Sequence, residues 1–335
     1  MNKEITYDEK FFIAGSTGMV GSSIIRNLKE KGYGDKDHGG EILAPSRNEL
    51  NLLDLHEVKD WFELHKPSVV ILAAAKVGGI IANSTYPFDF IFENMKIQNN
   101  VIETAWLNDV KRFVFLGSSC IYPKFAKQPI TEESLLTGEL ESTNEPYAIA
   151  KISGIKLCES LRKQYGFDAI SLMPTNLYGP KDNYNDKNSH VMASLIKKFC
   201  EAKFYKLPKV TCWGSGKPER EFMHVDDLAE AIIFCLEKWN PDKSNAPRNN
   251  SGNPINFLNV GTGKDISISN LAEIISEIVN YDIEIVWDRT KPDGTPKKQL
   301  NIEKIKSLGW TPKIDLIYGI EKTVLDFQNN YLKKI

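Results

Sequence analysis

Residues Lys10–Gly21 read KFFIAGSTGMVG, and the fold is decided there. The run KFFIAG is apolar enough for a strand buried on both faces. MVGSSIIRNLKEKG, beginning at Met19, has the spacing of an amphipathic helix. Between them Gly15, Gly18 and Gly21 make a GxxGxxG turn. Glycine permits the tight reversal and lets a diphosphate approach the backbone, where a helix N-terminus offers unpaired N–H groups and partial positive charge. A purely structural tight turn is the competing reading. The strand before and the helix after favour a dinucleotide site.

Further apolar runs follow: EILAP from Glu41, SVVILAAA from Ser68 to Ala75, RFVFLGSS from Arg112 and DAISLMPT from Asp168. Helical patterns separate them at Leu55–His65, Phe88–Asn108 and Tyr147–Tyr165. This alternation predicts an α/β fold: a doubly wound, mostly parallel Rossmann sheet. Ligands then bind at the strands' C-terminal ends, where Gly15, Ala74, Gly117 and Pro174 fall. The second half is less regular and predicts a smaller C-terminal α/β lobe for substrate. Helices are expected over HVMASLIKKFCEAK, VDDLAEAIIFCLEKW and Ile268–Val279, and strands over KVTCWGSG, INFLNVG and IEIVW. Pro241–Pro254 and Lys31–Gly40 read as polar surface loops. The expected division is a dinucleotide-binding domain over 1–180, with 221–262 returning to it, and a substrate lobe over 181–220 and 263–335.

The chain has 335 residues, 41% hydrophobic and 26% charged, with net charge −2. Such a balance gives no electrostatic reason to bind nucleic acid or an anionic membrane. The five cysteines, Cys120, Cys158, Cys200, Cys212 and Cys235, are odd in number and form no CxxC pair. That argues against a disulfide framework or a zinc knuckle; no metal site is expected. MNKEITYDEKFF lacks an apolar signal core, and no run approaches the roughly 20 apolar residues of a membrane span. A cytoplasmic location is the expectation.

Cofactor choice is read at the end of the second strand. An acid there binds the ribose 2′-OH of NAD. EILAPS is instead followed by Arg47, which can pair with a 2′-phosphate, so NADP is expected over NAD. Asp54 has two readings, an acceptor from the adenine amino group or the N-cap of the helix at HEVKDWF.

Two acid–base pairs stand out. Tyr147 and Lys151, four apart on a helix, project from one face. The phenol can donate a proton to a carbonyl, and the ammonium is expected to bring its pKa toward neutrality. Ser118, at the end of the fourth strand, can hold the same oxygen. The second pair is Cys120 and His190. A thiol of depressed pKa can remove a proton from carbon beside a ketone, and an imidazole can return one from another direction. The enolate oxygen between the two steps would be bound by Ser118 and Tyr147. A packed strand-end thiol and a helix-start histidine near solvent are the alternatives, and spacing does not show that the two meet.

Beyond these pairs, GSTGMVG, RNELNLLD, AAAKVGGIIANSTYP, LGSSCIYPKFAKQPI, NEPYAIAKISGIKLCES, MPTNLYGPKDNY, NSHVMASLIKKF, WGSGKPEREFMHVDDLA and KPDGTPKK resemble the GDP-L-fucose synthase family, within the extended short-chain dehydrogenase/reductases. The resemblance runs from about Phe12 to Trp310. It implies conversion of GDP-4-keto-6-deoxy-D-mannose to GDP-L-fucose by 3,5-epimerisation and NADPH-dependent reduction at C4. Tyr147 would be the reductase acid, assisted by Ser118 and Lys151; Cys120 would be the epimerase base and His190 the acid. NADP would lie on Gly15, Ser16, Thr17, Gly18, Met19, Val20 and Gly21, on Arg47, Asn48, Leu52 and Asp54, and on Leu116, Gly117, Ser118 and Ser119. Its nicotinamide would reach Pro174, Thr175, Asn176 and Leu177, with Tyr147, Lys151 and His190 close by. Lys198, Trp213, Arg220 and Asp293 would hold the GDP-sugar. Core packing is the competing reading for Trp213, and turn chemistry for Asp293. The helices at Phe88–Asn108 and Tyr147–Tyr165 match those that pair between subunits, so a homodimer is expected. The sequence departs from some family members at Thr17 and Lys198, where they carry arginine. A nucleotide-sugar epimerase that reoxidises a retained cofactor is the nearest rival, and a non-enzymatic cofactor-sensing scaffold is the more distant one.

Overall fold

The computed structural model describes residues 4–186, 189–291 and 293–332. Asn188 of the NSHV motif and Pro292 of KPDGTPKK lie outside them. In chain order the first elements are β1 (Lys10–Ala14), α1 (Met19–Glu30), β2 (Glu41–Leu43), α2 (Leu55–His65), β3 (Val69–Leu72), α3 (Ile80–Thr85), α4 (Pro87–Leu107), β4 (Arg112–Leu116), α5 (Glu145–Tyr165) and β5 (Ala169–Pro174). There follow β6 (Asn176–Tyr178), α6 (Val191–Tyr205), β7 (Lys209–Trp213), β8 (Glu219–His224), α7 (Val225–Lys238), β9 (Phe257–Val260), β10 (Asp265–Ser267), α8 (Ile268–Val279), β11 (Glu284–Asp288), β12 (Lys297–Lys298), α9 (Glu303–Ser307) and α10 (Leu316–Asn330).

The principal sheet has the order β2-β1-β3-β4-β5-β9, with every neighbouring pair parallel. Its central strands β3, β4 and β5 are buried at every residue, because helices cover both faces and leave no solvated side to alternate toward. Helix α1 packs on α7, and α4 on α5. The chain leaves β1 toward β2 on one side and toward β3 on the other, so a crevice opens beyond the strand ends at that point. Strand β9 and helix α7, from the second half of the chain, complete this layer.

A second hydrophobic core lies among α6, α8, α10 and β7, around Phe199, Ile275 and Phe327. Two small sheets serve it. Strand β8 pairs parallel with β6 and β12 and antiparallel with β10, and β7 pairs parallel with β11. The strands read from sequence in this half, β7, β9 and β11, are present. Strands β6, β8, β10 and β12 and helices α9 and α10 had no sequence reading. Most are too short to show a period, and α10 lies beyond the last segment read. None of the described helices is long and apolar enough to cross a membrane.

Candidate active site

The glycine turn is built as the spacing implies. Gly15 holds φ +89, and a Cβ there would sit 2.8 Å from the Ala74 nitrogen. At Gly21 a Cβ would lie 2.1 Å from the Gly15 carbonyl oxygen. Helix α1 starts at Gly18 with no capping side chain and no acid in its first turn. Its leading N–H groups are therefore left for an anion. This backbone cradle fits the pyrophosphate of a dinucleotide.

From this turn a cavity of about 1190 Å³ runs along the C-terminal ends of β1, β3, β4 and β5 and on to the second core. It collects residues from all parts of the chain. Gly15 to Gly21, Arg47, Leu52, Leu116 to Cys120, Tyr147, Lys151, Pro174 to Leu177 and His190 line it, as do Lys198, Trp213 and Asp293, with Arg220 close enough to Cys120 for its charge to act there. Two residues expected in the cofactor site, Asn48 and Asp54, do not line it. The Asp54 carboxylate caps α2 instead, accepting from the backbone N–H groups of His56 and Glu57 at 2.8 and 3.3 Å; its helix-cap reading is the one the structure follows. Ser16 turns its hydroxyl away from the cradle, to the carbonyls of Ala44 and Pro45. That bond ties the glycine turn to the loop carrying Arg47, which is exposed at the cavity edge.

Tyr147 and Lys151 share the inner face of α5. The Lys151 ammonium donates to the Leu116 carbonyl at 2.8 Å and lies 5.9 Å from the Tyr147 ring centre. Burial lowers its pKa to about 8. The Tyr147 phenol departs from expectation. Burial, and then the neighbouring Cys120 sulfur, raise its pKa, against a hydrogen bond from Ser118. The phenol therefore stays protonated at neutral pH, as a proton donor must.

Cys120 follows Ser118, whose hydroxyl oxygen accepts from the Cys120 N–H at 3.2 Å. Asn144 Nδ2 and Lys298 Nζ each point at Cys120 Sγ from 3.4 Å. Burial alone would raise the thiol pKa. The Lys298 charge, the Ser118 bond and the Arg220 guanidinium outweigh it, and the pKa falls below the ordinary value. His190 is the N-cap of α6; the residue is exposed, as its helix-start reading expects, and it lines the cavity. Burial and the same Lys298 charge hold its pKa below 6.5. Lys298 therefore faces both members of the pair. It was missed in the sequence, as was Asn144, although KPDGTPKK and NEPYAIAK contain them. The signal is weak: a lysine in a turn motif declares no partner 178 residues away.

Of the other lining residues, Trp213 is 48% exposed, which rules out core packing. The Lys198 and Lys291 ammonium groups lie 5.2 and 5.6 Å from its ring centre. Lys198 also donates to the Thr211 carbonyl. The Asp293 carboxylate accepts from the Ser215 N–H and hydroxyl at 2.6 and 2.8 Å, so it does carry the turn chemistry named as its alternative. Arg220 donates to the Glu219 carbonyl and reaches the Asp293 carbonyl at 3.5 Å. Cations, an aromatic face and a carboxylate thus converge on one wall, a set suited to a nucleoside diphosphate. No cluster of His, Cys, Asp or Glu able to hold a metal occurs among the described residues.

A parallel sheet with a glycine cradle and a Ser–Tyr–Lys set defines the class. Residues 11–249 match the NAD dependent epimerase/dehydratase family, and the chain belongs to that family. Within it, the chain is 49% identical over 325 residues to the putative GDP-L-fucose synthase 2 of Arabidopsis thaliana, covering 97% of this chain and 93% of that one. It is 50% identical over 326 residues to the GDP-L-fucose synthase of Escherichia coli K12, covering 96% and 97%. Among solved structures, a GDP-mannoheptose C4 reductase from Campylobacter jejuni with NADP bound superposes with TM-score 0.84 at 34% identity, covering 97% and 99%.

Proposed function

We propose that this protein converts GDP-4-keto-6-deoxy-D-mannose to GDP-L-fucose, by epimerisation at C3 and C5 followed by NADPH-dependent reduction at C4. It is an NADP-dependent oxidoreductase with epimerase activity, acting on a GDP-sugar. One observation carries the chemistry: a thiol of lowered pKa, an imidazole and a protonated phenol line one cavity.

The C4 ketone acidifies the protons on C3 and C5. Cys120, as thiolate, removes them, and His190 returns protons to the opposite face. Charge passes to the C4 oxygen at each removal, where the Ser118 hydroxyl and the Tyr147 phenol donate to it. NADPH, when bound, supplies hydride to C4. Tyr147 then gives its proton to the new alkoxide, and Lys151 stabilises the phenolate left behind. Arg47 selects the 2′-phosphate, while Lys198, Trp213, Arg220 and Asp293 hold the nucleotide-sugar. We assign 1–180 with 221–262 to cofactor binding, and 181–220 with 263–335 to substrate binding. We also propose a homodimer formed through α4 and α5, which expose Phe88, Phe92, Leu107 and Tyr165, and a cytoplasmic setting, which keeps the Cys120 thiolate reduced.

Incubation with the 4-keto sugar and NADPH in deuterated water tests the reaction. The expected product carries deuterium at C3 and C5, with one NADPH oxidised per product. Deuterium-free product, or turnover without net NADPH oxidation, would sink the reading; the latter would point to the rival epimerase.

A further inference from the structure

The reaction proposed above asks one base to act twice. In a manno-configured ring H3 and H5 project axially from the same face, so the group that takes one takes the other. After the first inversion the sulfur holds a proton and the imidazole has lost one. The second inversion waits until both are reset. His190 opens onto the large cavity and can regain its proton there. The sulfur lines the same cavity, but Asn144 Nδ2 and Lys298 Nζ, which point at it, are donors and cannot accept its proton, and the Ser118 hydroxyl that also bonds it can pass a proton on without keeping it.

Beside Cys120 a small chamber of about 30 Å³ adjoins the large cavity, with which it shares Cys120, Glu141, Asn144, Thr295 and Lys298; its volume is above the ~10–15 Å³ that one water molecule needs. Cys120, Asn144, Thr295, Lys124, Lys298 and Glu141 are among its walls. They offer the two to four polar partners that hold a water in place. Glu141 is the one carboxylate among the described residues of that lining. Its carboxylate pairs with Lys124 at 3.0 Å and accepts from the Thr295 hydroxyl at 3.4 Å, and the side chain is 15% exposed. It thus lines the chamber and keeps partial contact with solvent.

We propose that Glu141 carries away the proton that Cys120 takes from the sugar. The Cys120 S–H bond breaks as its proton passes to water in the chamber. That water gives a proton to a Glu141 oxygen, forming an O–H bond, and Glu141 releases it to solvent. The products are the thiolate and a solvent proton, with no change of oxidation state. Burial raises the Glu141 pKa, but Lys124 more than offsets it, so the carboxyl does not retain the proton.

The test uses enzyme in excess over GDP-4-keto-6-deoxy-D-mannose in deuterated water, with NADP⁺ in place of NADPH so that reduction cannot follow. Wild type should add both deuterium atoms. Glu141→Gln should add the first at the wild-type rate and the second about 100-fold more slowly, the low end for loss of a positioned proton acceptor. Imidazole in the buffer should restore the second step, and Glu141→Asp should retain it. Unchanged addition of both atoms in Glu141→Gln would overturn the proposal. So would equal slowing of both without rescue by imidazole, which marks a merely structural role; NADPH binding by the variant checks its fold. Cys120→Ser separates the two levels. Exchange that persists in it defeats the base assignment beneath, whereas exchange lost in it but normal in Glu141→Gln defeats the relay alone.

Discussion

The Lys298 ammonium stands 3.4 Å from the Cys120 sulfur, joining a two-residue strand of the substrate side to a turn at the end of β4. The same charge acts on His190. One cation therefore tilts both proton transfers, favouring a thiolate and a strongly acidic imidazolium.

The exchange of C3 and C5 protons should be bell-shaped in pH, since it needs deprotonated Cys120 and protonated His190. Without Lys298 the thiolate loses a stabilising charge, so the Cys120 pKa rises. His190 loses a repelling charge, so its pKa rises too. In Lys298→Met both limbs should move to higher pH. Solvent-exchange rates across pH would show it, and limbs that stay in place would reject the assignment of Lys298 to both groups.

Tyr147→Phe and Cys120→Ser should divide the reaction. The phenol is needed to protonate the alkoxide, so Tyr147→Phe should lower NADPH oxidation by ~10²–10⁴-fold while C3 or C5 exchange persists. Cys120→Ser should stop exchange. Parallel loss of both activities in the tyrosine variant would argue against separate stages.

The proposed basis for cofactor choice is Arg47, which lines the cavity beside the glycine turn. Loss of a charged hydrogen bond costs about 1.5–3 kcal/mol. Arg47→Ala should weaken NADPH binding on the order of 10- to 100-fold and leave NADH binding unchanged. Titration of cofactor fluorescence compares the two; equal losses would place the selectivity elsewhere.

Lys151 should make stability depend on pH. Its folded pKa, about 8, lies below the 10.5 of an ordinary lysine, so the folded state binds the proton less readily than the unfolded. The cost of burying the charge is fully present below pH 8 and relieved as pH rises toward 10.5, by an upper bound of about 3 kcal/mol. Lys151→Met lacks this charge. Its Tm relative to wild type should therefore fall between pH 7 and pH 10; a constant difference would show that Lys151 is not desolvated.

Much of the fold was legible because its signals are local. The apolar runs at β1, β3, β4 and β5, and the glycines at Gly15, Gly18 and Gly21, report burial and turn geometry within a few residues. Helix α2 matched its expected bounds, Leu55–His65, since its period is unbroken. The short strands β6, β8, β10 and β12 were not legible; pairing across distant chain segments stabilises them, not their own pattern. Asp54 illustrates the limit at a single residue: an acid before a helix fits a ligand contact or a cap equally, and only its bonds to His56 and Glu57 decide.

By itself the amino-acid sequence determined the parallel sheet and the glycine turn, because those follow from neighbours along the chain, and it marked Ser118, Cys120, Tyr147, Lys151 and His190 as candidates through their local motifs. The tertiary structure alone decided that β12 brings Lys298 to Cys120 and its charge to bear on His190, that burial keeps Tyr147 protonated, and that Glu141 shares a chamber wall with the thiol. Proton affinity depends on the charges and burial surrounding a group in space, and the chain order of those groups does not encode their distances.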